Sequence, residues 1–192
     1  IGFSNFPSFV PKAVMAIEDH RFYDHNGFDF IGLGRALFTN VVSGRVVQGG
    51  STLTQQLAKT LFLSPKRSLK RKLQELIVSI WLERHFSKKQ MLSIYLNRVY
   101  MGPGMYGFGA AAGFSCNQSA RNLNLAQSAG LAGMLKAPHT YSPLLNMEKF
   151  KNRGGLVLLR MKELNYISKN RYNQAMAELA NLKAAPPIYT GK

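Results

Sequence analysis

The sequence predicts a mostly helical domain, on three observations. Of its 192 residues, 46% are hydrophobic, enough to bury a sizeable core in one compact domain or in two lobes. Long stretches repeat apolar residues at helical spacing, and several open on Ser or Thr. Strand signals are nearly absent, Arg45-Val46-Val47 being the exception. No internal repeat, low-complexity tract or clear linker divides the chain.

The elements follow in order. Residues 8–19 predict a first helix, and 29–43 form an apolar, aromatic segment containing Gly32 and Gly34 and followed by Gly44. Residues 51–63 predict a helix capped by Ser51 or Thr52 and stopped by Ser64-Pro65. Residues 66–86 predict a strong helix. Leu69, Leu73, Leu76, Ile77 and Ile80 fill one of its faces, and Val78, Trp81 and Leu82 continue round the other side. A helix apolar almost all round is expected to be buried. Residues 87–99 predict a helix with Ser87 as N-cap, and 101–113 a Gly-rich loop running into a small-residue helix. Residues 124–136, 146–164 and 168–182 complete the set, with Asn165 at a left-handed helix end. Pro186-Pro187 starts an extended tail over 184–192.

Composition narrows the partners. With 25 Lys and Arg against nine Asp and Glu, the net charge is +16. Such an excess implies an anionic partner: nucleic acid, anionic lipid or a phosphorylated substrate. A basic surface that only aids solubility is the plainer alternative. No nucleic-acid-binding motif is found, which argues against the first partner. One cysteine, Cys116, rules out an internal disulfide. No run of 18 apolar residues occurs, so no span of a bilayer is expected. The chain opens on Ile1 and reads as a piece of a longer protein, with targeting segments lost.

The chemistry starts at AIEDHRFYDHNGFD, residues 16–29, which holds four of the nine acids. Glu18 follows an apolar face, and a carboxyl group at the edge of a core suits a general base or acid. A surface pair with Arg21 is the structural alternative. Glu75, on the 66–86 helix, is a second carboxylate in apolar surroundings; Arg71 and Lys72 lie within reach one turn earlier. Lys59, Lys66, Arg67, Lys70, Arg71 and Lys72 crowd around one helix–Pro–helix turn, a cluster suited to pyrophosphate. The Gly49-Gly50-Ser51-Thr52 turn opens a helix, and helix N-termini attract anions.

Other motifs carry less. GPGMYG, residues 102–107, follows a helix and contains Pro103, which argues against a dinucleotide loop. The four His are scattered without metal-site spacing, so no zinc site is expected. No S-x-x-K occurs, so an acyl-serine penicillin site is not expected in this chain.

Five segments together resemble the peptidoglycan glycosyltransferase (transglycosylase) family, in the family's own order: EDHRFYDHNG (18–27), GGSTLTQQLAK (49–59), RKLQE (71–75), YLNRVYMG (95–102) and GLAGMLKAPHTYSP (130–143). The likeness runs from about Pro11 to Leu179. It implies a single lysozyme-like helical domain over residues 1–192, with a small membrane-facing jaw lobe around 28–48. The implied substrate is lipid II, polymerised into β-1,4-linked glycan strands with inversion at the donor anomeric carbon and release of undecaprenyl pyrophosphate. Glu18 matches the catalytic base and Glu75 the second essential carboxylate, which organises cations or a divalent metal, Mg or Mn. Lys59 and Arg67 match pyrophosphate contacts; Ser51, Gln55, Gln56 and Arg71 line the same groove, and Asn97 supports it. Asp19, Arg21, Phe22, His25 and Gly27 are expected to shape the loop holding Glu18, and His20 to be structural.

The resemblance also implies the outer face of the bacterial cytoplasmic membrane, reached through an anchor this chain lacks, with no nucleic acid and with cell-wall synthesis partners. Phe28, Phe30, Ile31, Leu33, Leu37 and Phe38 are the residues expected to face the membrane; packing inside the domain is the alternative for that segment. Residues 114–127 depart from the family pattern, with Gln118 where a lysine is common and Cys116 without a role. Two rival readings remain on sequence grounds: a lysozyme-type hydrolase, which would not need the Lys59/Arg67 cluster, and a basic module without catalysis.

Overall fold

The structure is a computed structural model and describes residues 1–44, 49–63 and 68–183. Among the described residues the helices are α1 (Phe9–Glu18), α2 (Phe30–Val42), α3 (Leu53–Phe62), α4 (Leu69–His85), α5 (Lys88–Arg98), α6 (Gly107–Cys116), α7 (Leu125–Met134), α8 (Met147–Glu163) and α9 (Lys169–Asn181). A two-stranded antiparallel sheet, β1 (Tyr100–Gly102) and β2 (Met105–Tyr106), sits between α5 and α6 in the chain. The mostly helical expectation is met. The Arg45-Val46-Val47 strand signal, the Ser64-Pro65 stop, Arg67 and the 184–192 tail lie outside the described residues.

Side-chain caps set most helix starts, each contributing about 1 kcal/mol. Thr52, not Ser51, caps α3 by accepting from the Gln55 N–H at 3.2 Å. Ser68 caps α4, Asn146 caps α8 and Ser168 caps α9. Asn124 and Gln127 form a reciprocal capping box on α7. Asn165 is left-handed (φ 57°), as a helix end of that kind requires.

The hairpin corrects the reading of 101–113 as loop before helix. It rests on short Tyr and Met pairings round a tight turn, with no β-branched run to announce it. In the unusual 114–119 stretch, Asn117 turns left-handed and Gln118 donates to Gln127, which accounts for an amide at that position. Burial pushes the Cys116 thiol up to about 12, so it stays protonated.

The chain divides into two compact units, taken here over their described residues: Ile1–Ile17 with Leu96–Lys192, and Glu18–Tyr95. In the first, α7, α8 and α9 pack together around Leu131, Met134, Phe150, Val157, Leu158 and Leu179. Gly154 lets α8 approach α7 so closely that an added Cβ would stand 3.1 Å from Gly130 Cα. In the second, α3 packs against α4, with Phe22, Leu53, Leu57, Leu82, Met91 and Leu92 buried. The described part of the expected 28–48 jaw lies wholly in this second unit.

One expectation is overturned: α4 is not a buried helix. Its buried residues are Glu75, Ser79 and Leu82, a single stripe at i, i+4 and i+7. Leu69 (91% exposed), Leu73, Ile77, Ile80 and Trp81 (46%) point outward. The apolar residues that suggested burial therefore form the outer face, and the helix presents a carboxylate and a hydroxyl inward.

Candidate active site

Every side chain in this section belongs to the Glu18–Tyr95 unit unless stated. Its frame is the loop after α1. Asp19 accepts from the Leu53 N–H at the start of α3 and from His25 Nε2, both at 2.9 Å. The Gly27 N–H donates to His25 Nδ1 at 3.2 Å, which leaves Nε2 as the ring nitrogen that faces Asp19. Thr52 Oγ1 donates to the Gly27 carbonyl at 2.8 Å. Gly27 is left-handed (φ 88°), and a Cβ there would meet the Ser79 backbone at 3.2 Å. Lys88 donates to the His25 carbonyl and to Glu83, and lies over the Phe22 ring. Arg21 pairs with Asp29 at 3.3 Å, while Glu18 is bonded by Gln56. Asp19, Arg21, Phe22, His25 and Gly27 thus all hold the segment that follows Glu18.

Helix α3 then serves two carboxylates with adjacent glutamines. Gln56 Nε2 donates to Glu18 Oε2 at 2.8 Å, and Tyr95 Oη donates to Gln56 Oε1 at 2.9 Å. Tyr95 is 2% exposed. Burial, and then the charge of Glu18, hold its phenol well above the usual range, so it remains a proton donor. Gln55 reaches the cation that holds the other carboxylate. Lys72 Nζ donates to Gln55 Oε1 at 3.2 Å, to Ser51 Oγ at 2.9 Å and to Glu75 Oε2 at 3.0 Å. Arg71 Nε stands 3.1 Å from Glu75 Oε1. The Glu75 side chain is 5% exposed and that of Lys72 49%, so the cluster is buried at its anion and open at its cation.

A small polar cavity of about 30 Å³ lies beside Glu18. Glu18, His20, Arg35 and Ser51 are among its walls, with Gly49 and Gly50. Ser51 therefore borders the Glu18 cavity and bonds the Lys72 that holds Glu75. Arg35 Nη1 lies 3.0 Å from His20 Nε2 within the same wall. Lys59 is exposed in the last turn of α3, four residues beyond Gln55 and on its face.

Of the expected residues, Glu18, Gln56, Gln55, Ser51, Arg71 and Glu75 come together in this way. Asn97 lies in the other unit, where its amide exchanges two 2.8 Å hydrogen bonds with the Ile1 backbone. Two participants go beyond the expected site residues. Lys72 was legible only as a cation one turn before Glu75. Tyr95 opens the fourth matching segment, but its role was not legible, because its contact reaches 39 positions back to Gln56.

Glu75 faces two cations, Arg71 and Lys72. Among the described residues no group of three or more His, Cys, Asp or Glu could hold a metal.

Comparison with known proteins places the chain. The family model described as transglycosylase matches residues 1–162. The chain is 42% identical over 168 residues to penicillin-binding protein 1F of Bacillus subtilis, covering 88% of this chain and 24% of that protein. It is 43% identical over 172 residues to penicillin-binding protein 1A of Vibrio cholerae, covering 90% and 21%. With penicillin-binding protein 1A of Aquifex aeolicus the figures are 41% over 183 residues, covering 95% and 25%. The chain thus spans about a quarter of the length of these curated relatives. The crystal structure of penicillin-binding protein 1A from Haemophilus influenzae aligns over 72% of this chain and 17% of its own, at 27% identity and a TM-score of 0.49.

Proposed function

The chain belongs to the transglycosylase family and is a peptidoglycan glycosyltransferase domain; from that premise we propose that it polymerises lipid II into β-1,4-linked glycan, with Glu18 as base and the Lys72–Glu75 cluster assisting departure of the diphosphate. One observation carries the reading: consecutive α3 residues, Gln55 and Gln56, reach the cationic cluster and the Glu18 carboxylate respectively. A proton acceptor and a cationic cluster are thereby both bonded to one turn of α3.

The step balances simply. Glu18 takes the proton of the acceptor sugar's 4-hydroxyl as that oxygen attacks the donor's anomeric carbon. The bond from that carbon to the diphosphate oxygen breaks, and undecaprenyl pyrophosphate departs with the electron pair. Attack from the face opposite the leaving group inverts the centre. Negative charge grows on the departing oxygens, so fixed cations there lower the barrier. Lys72 and Arg71 are oriented by Glu75, and Lys59 and Arg67 add charge on the same segment of chain. No hydrolytic water has to be activated, because a sugar hydroxyl is the nucleophile.

The lipid end of the substrate calls for a membrane, and the apolar surface of this unit suits one. Phe30 (78% exposed), Ile31, Leu37, Phe38, Val41 and Val42 project from α2, while Phe28 and Leu33 are half-buried. Leu76 and Ile80 of α4 share a groove with Phe28, Phe30 and Ile31, bordered by Arg21, Asp24 and Asn26, so apolar residues of both helices meet in it. No helix of the described residues is long and apolar enough to cross a bilayer. Shallow insertion is the mode this surface fits, at the outer leaflet of the cytoplasmic membrane, where lipid II and the growing strand would lie.

The test is incubation with lipid II and, separately, with finished glycan. We expect polymer from the first and no shortening of the second; shortening alone would establish a hydrolase instead. Glu18→Gln protein should bind lipid II, fold normally and make no polymer, and retained turnover would remove Glu18 from the role of base.

A further inference from the structure

We propose that Tyr95 and Gln56 are positioning residues for Glu18, forming a hydrogen-bond chain that holds the carboxylate in its reactive orientation. The inference rests on the reading of Glu18 as the base. The chain joins three segments far apart in sequence: Gln56 lies 38 positions from Glu18, and Tyr95 39 positions from Gln56. A glutamine amide has one accepting and one donating end. The Tyr95 hydroxyl donates to Oε1, which turns Nε2 toward Glu18 Oε2. If the amide turned over, its carbonyl would face the carboxylate and repel it.

Tyr95 is placed to prevent this. It projects from α5, is buried with Leu92 and Leu96 around it in the chain, and stays protonated for the reason given above. Gln56 is held on α3 by the Thr52 cap, whose carbonyl also accepts the Gln56 N–H at 3.0 Å. Two rigid helices therefore aim one amide at one carboxylate oxygen. The donated N–H also favours the ionised form, which is the form that accepts a proton. The second glutamine of the TLTQQ segment thus has its amide committed to the base, while Gln55 has its own committed to Lys72.

The experiment uses Tyr95→Phe, Gln56→Met and the double variant, with two readouts. In lipid II polymerisation, Tyr95→Phe should lower kcat roughly tenfold, the weight of one buried hydrogen bond, with KM little changed. The acid limb of its pH–rate profile should move to higher pH. Gln56→Met should do the same more strongly, and adding Tyr95→Phe to it should change nothing further. In the second readout, carbon-detected NMR of the Glu18 carboxyl, both variants should titrate at higher pH than the parent. That readout needs no turnover, so it separates the positioning claim from the functional reading, which the parent and Glu18→Gln proteins decide. Titration of Glu18 at the parent's pH in Gln56→Met, or single-variant losses that multiply in the double, would overturn the inference. Should Tyr95→Phe fail to fold by circular dichroism, the Gln56→Met titration decides alone.

Discussion

Replacing Lys72 with Met tests the cationic cluster most directly. The substitution keeps the aliphatic stem and removes the ammonium, together with its hydrogen bonds to Ser51, Gln55 and Glu75 at 2.9, 3.2 and 3.0 Å. Glu75 would remain buried with Arg71 at 3.1 Å as its ion-pair partner. Breaking a fully buried pair costs about 3–5 kcal/mol, and breaking an exposed one about 0–1 kcal/mol. Here the anion is 5% exposed and the cation 49%, so the cost falls between those limits, at about 2 kcal/mol. For a domain of this size that lowers the melting temperature by about 4–8 °C. Losing a cation from the leaving-group site should cost about a hundredfold in polymerisation rate, far more than partial unfolding explains at a temperature well below the melt. Scanning calorimetry and a lipid II assay on one preparation measure both. A second variant, Lys72→Arg, tests the charge itself: it restores a cation beside Glu75 and should regain stability and part of the rate. A Lys72→Met protein that melts and polymerises like the parent would refute the account of this cluster.

Two further outcomes follow from the same unit. Burial alone would raise the Asp29 carboxyl, but the Gly32 N–H and the Arg21 guanidinium outweigh it and hold the group below its usual value. A depressed carboxylate stabilises the fold above its unfolded pKa and loses that contribution as pH falls through the folded one. Asp29→Asn should therefore be less stable than the parent at neutral pH, and the gap in urea midpoint should narrow below about pH 4; a gap that persists in acid would discount the charge. Trp81, the chain's one tryptophan, projects from the exposed face of α4 and stacks on His85. Its fluorescence should shift to the blue and be quenched by brominated acyl chains when the protein meets phosphatidylglycerol vesicles, and Leu73→Gln with Ile77→Gln should weaken both changes. Binding without any change at Trp81 would confine membrane contact to α2.

Much of this was legible in the sequence, for reasons that differ by element. Helix starts at Thr52, Asn124, Asn146 and Ser168 are local events, in which a side-chain oxygen meets an N–H three residues on, so short-range pattern reveals them. The partners of Glu75 were readable for the same reason, being three and four residues away on one helix. The β1–β2 hairpin was not, since its pairing depends on the glycine geometry around Gly102, Gly104 and Gly107 rather than on strand-forming residues. The role of Tyr95 escaped because tertiary packing alone brings it to Gln56. Arg21, the partner of Glu18 in the structural alternative, is carried by the turn after α1 to Asp29.

Helix α4 shows why pattern reading failed where it mattered most. Apolar residues are assigned inward because water makes exposed hydrocarbon costly, at about 25 cal/mol per Å². The rule presumes that the outside is water. On α4 the carboxylate of Glu75 and the hydroxyl of Ser79 point in, and Leu69, Leu73, Ile77, Ile80 and Trp81 point out. Facing inward, Glu75 shares its Lys72 partner with Gln55, and the geometry of that cluster needs it there. The outward leucines and isoleucines then carry a continuing cost in water and none in hydrocarbon. A helix of this kind makes sense when one face belongs to a polar site and the other to lipid. The two halves of the proposed function, sugar–diphosphate chemistry and a membrane-borne substrate, therefore meet in the register of a single helix: turning α4 by half a turn to hide its apolar face would expel Glu75 from the site.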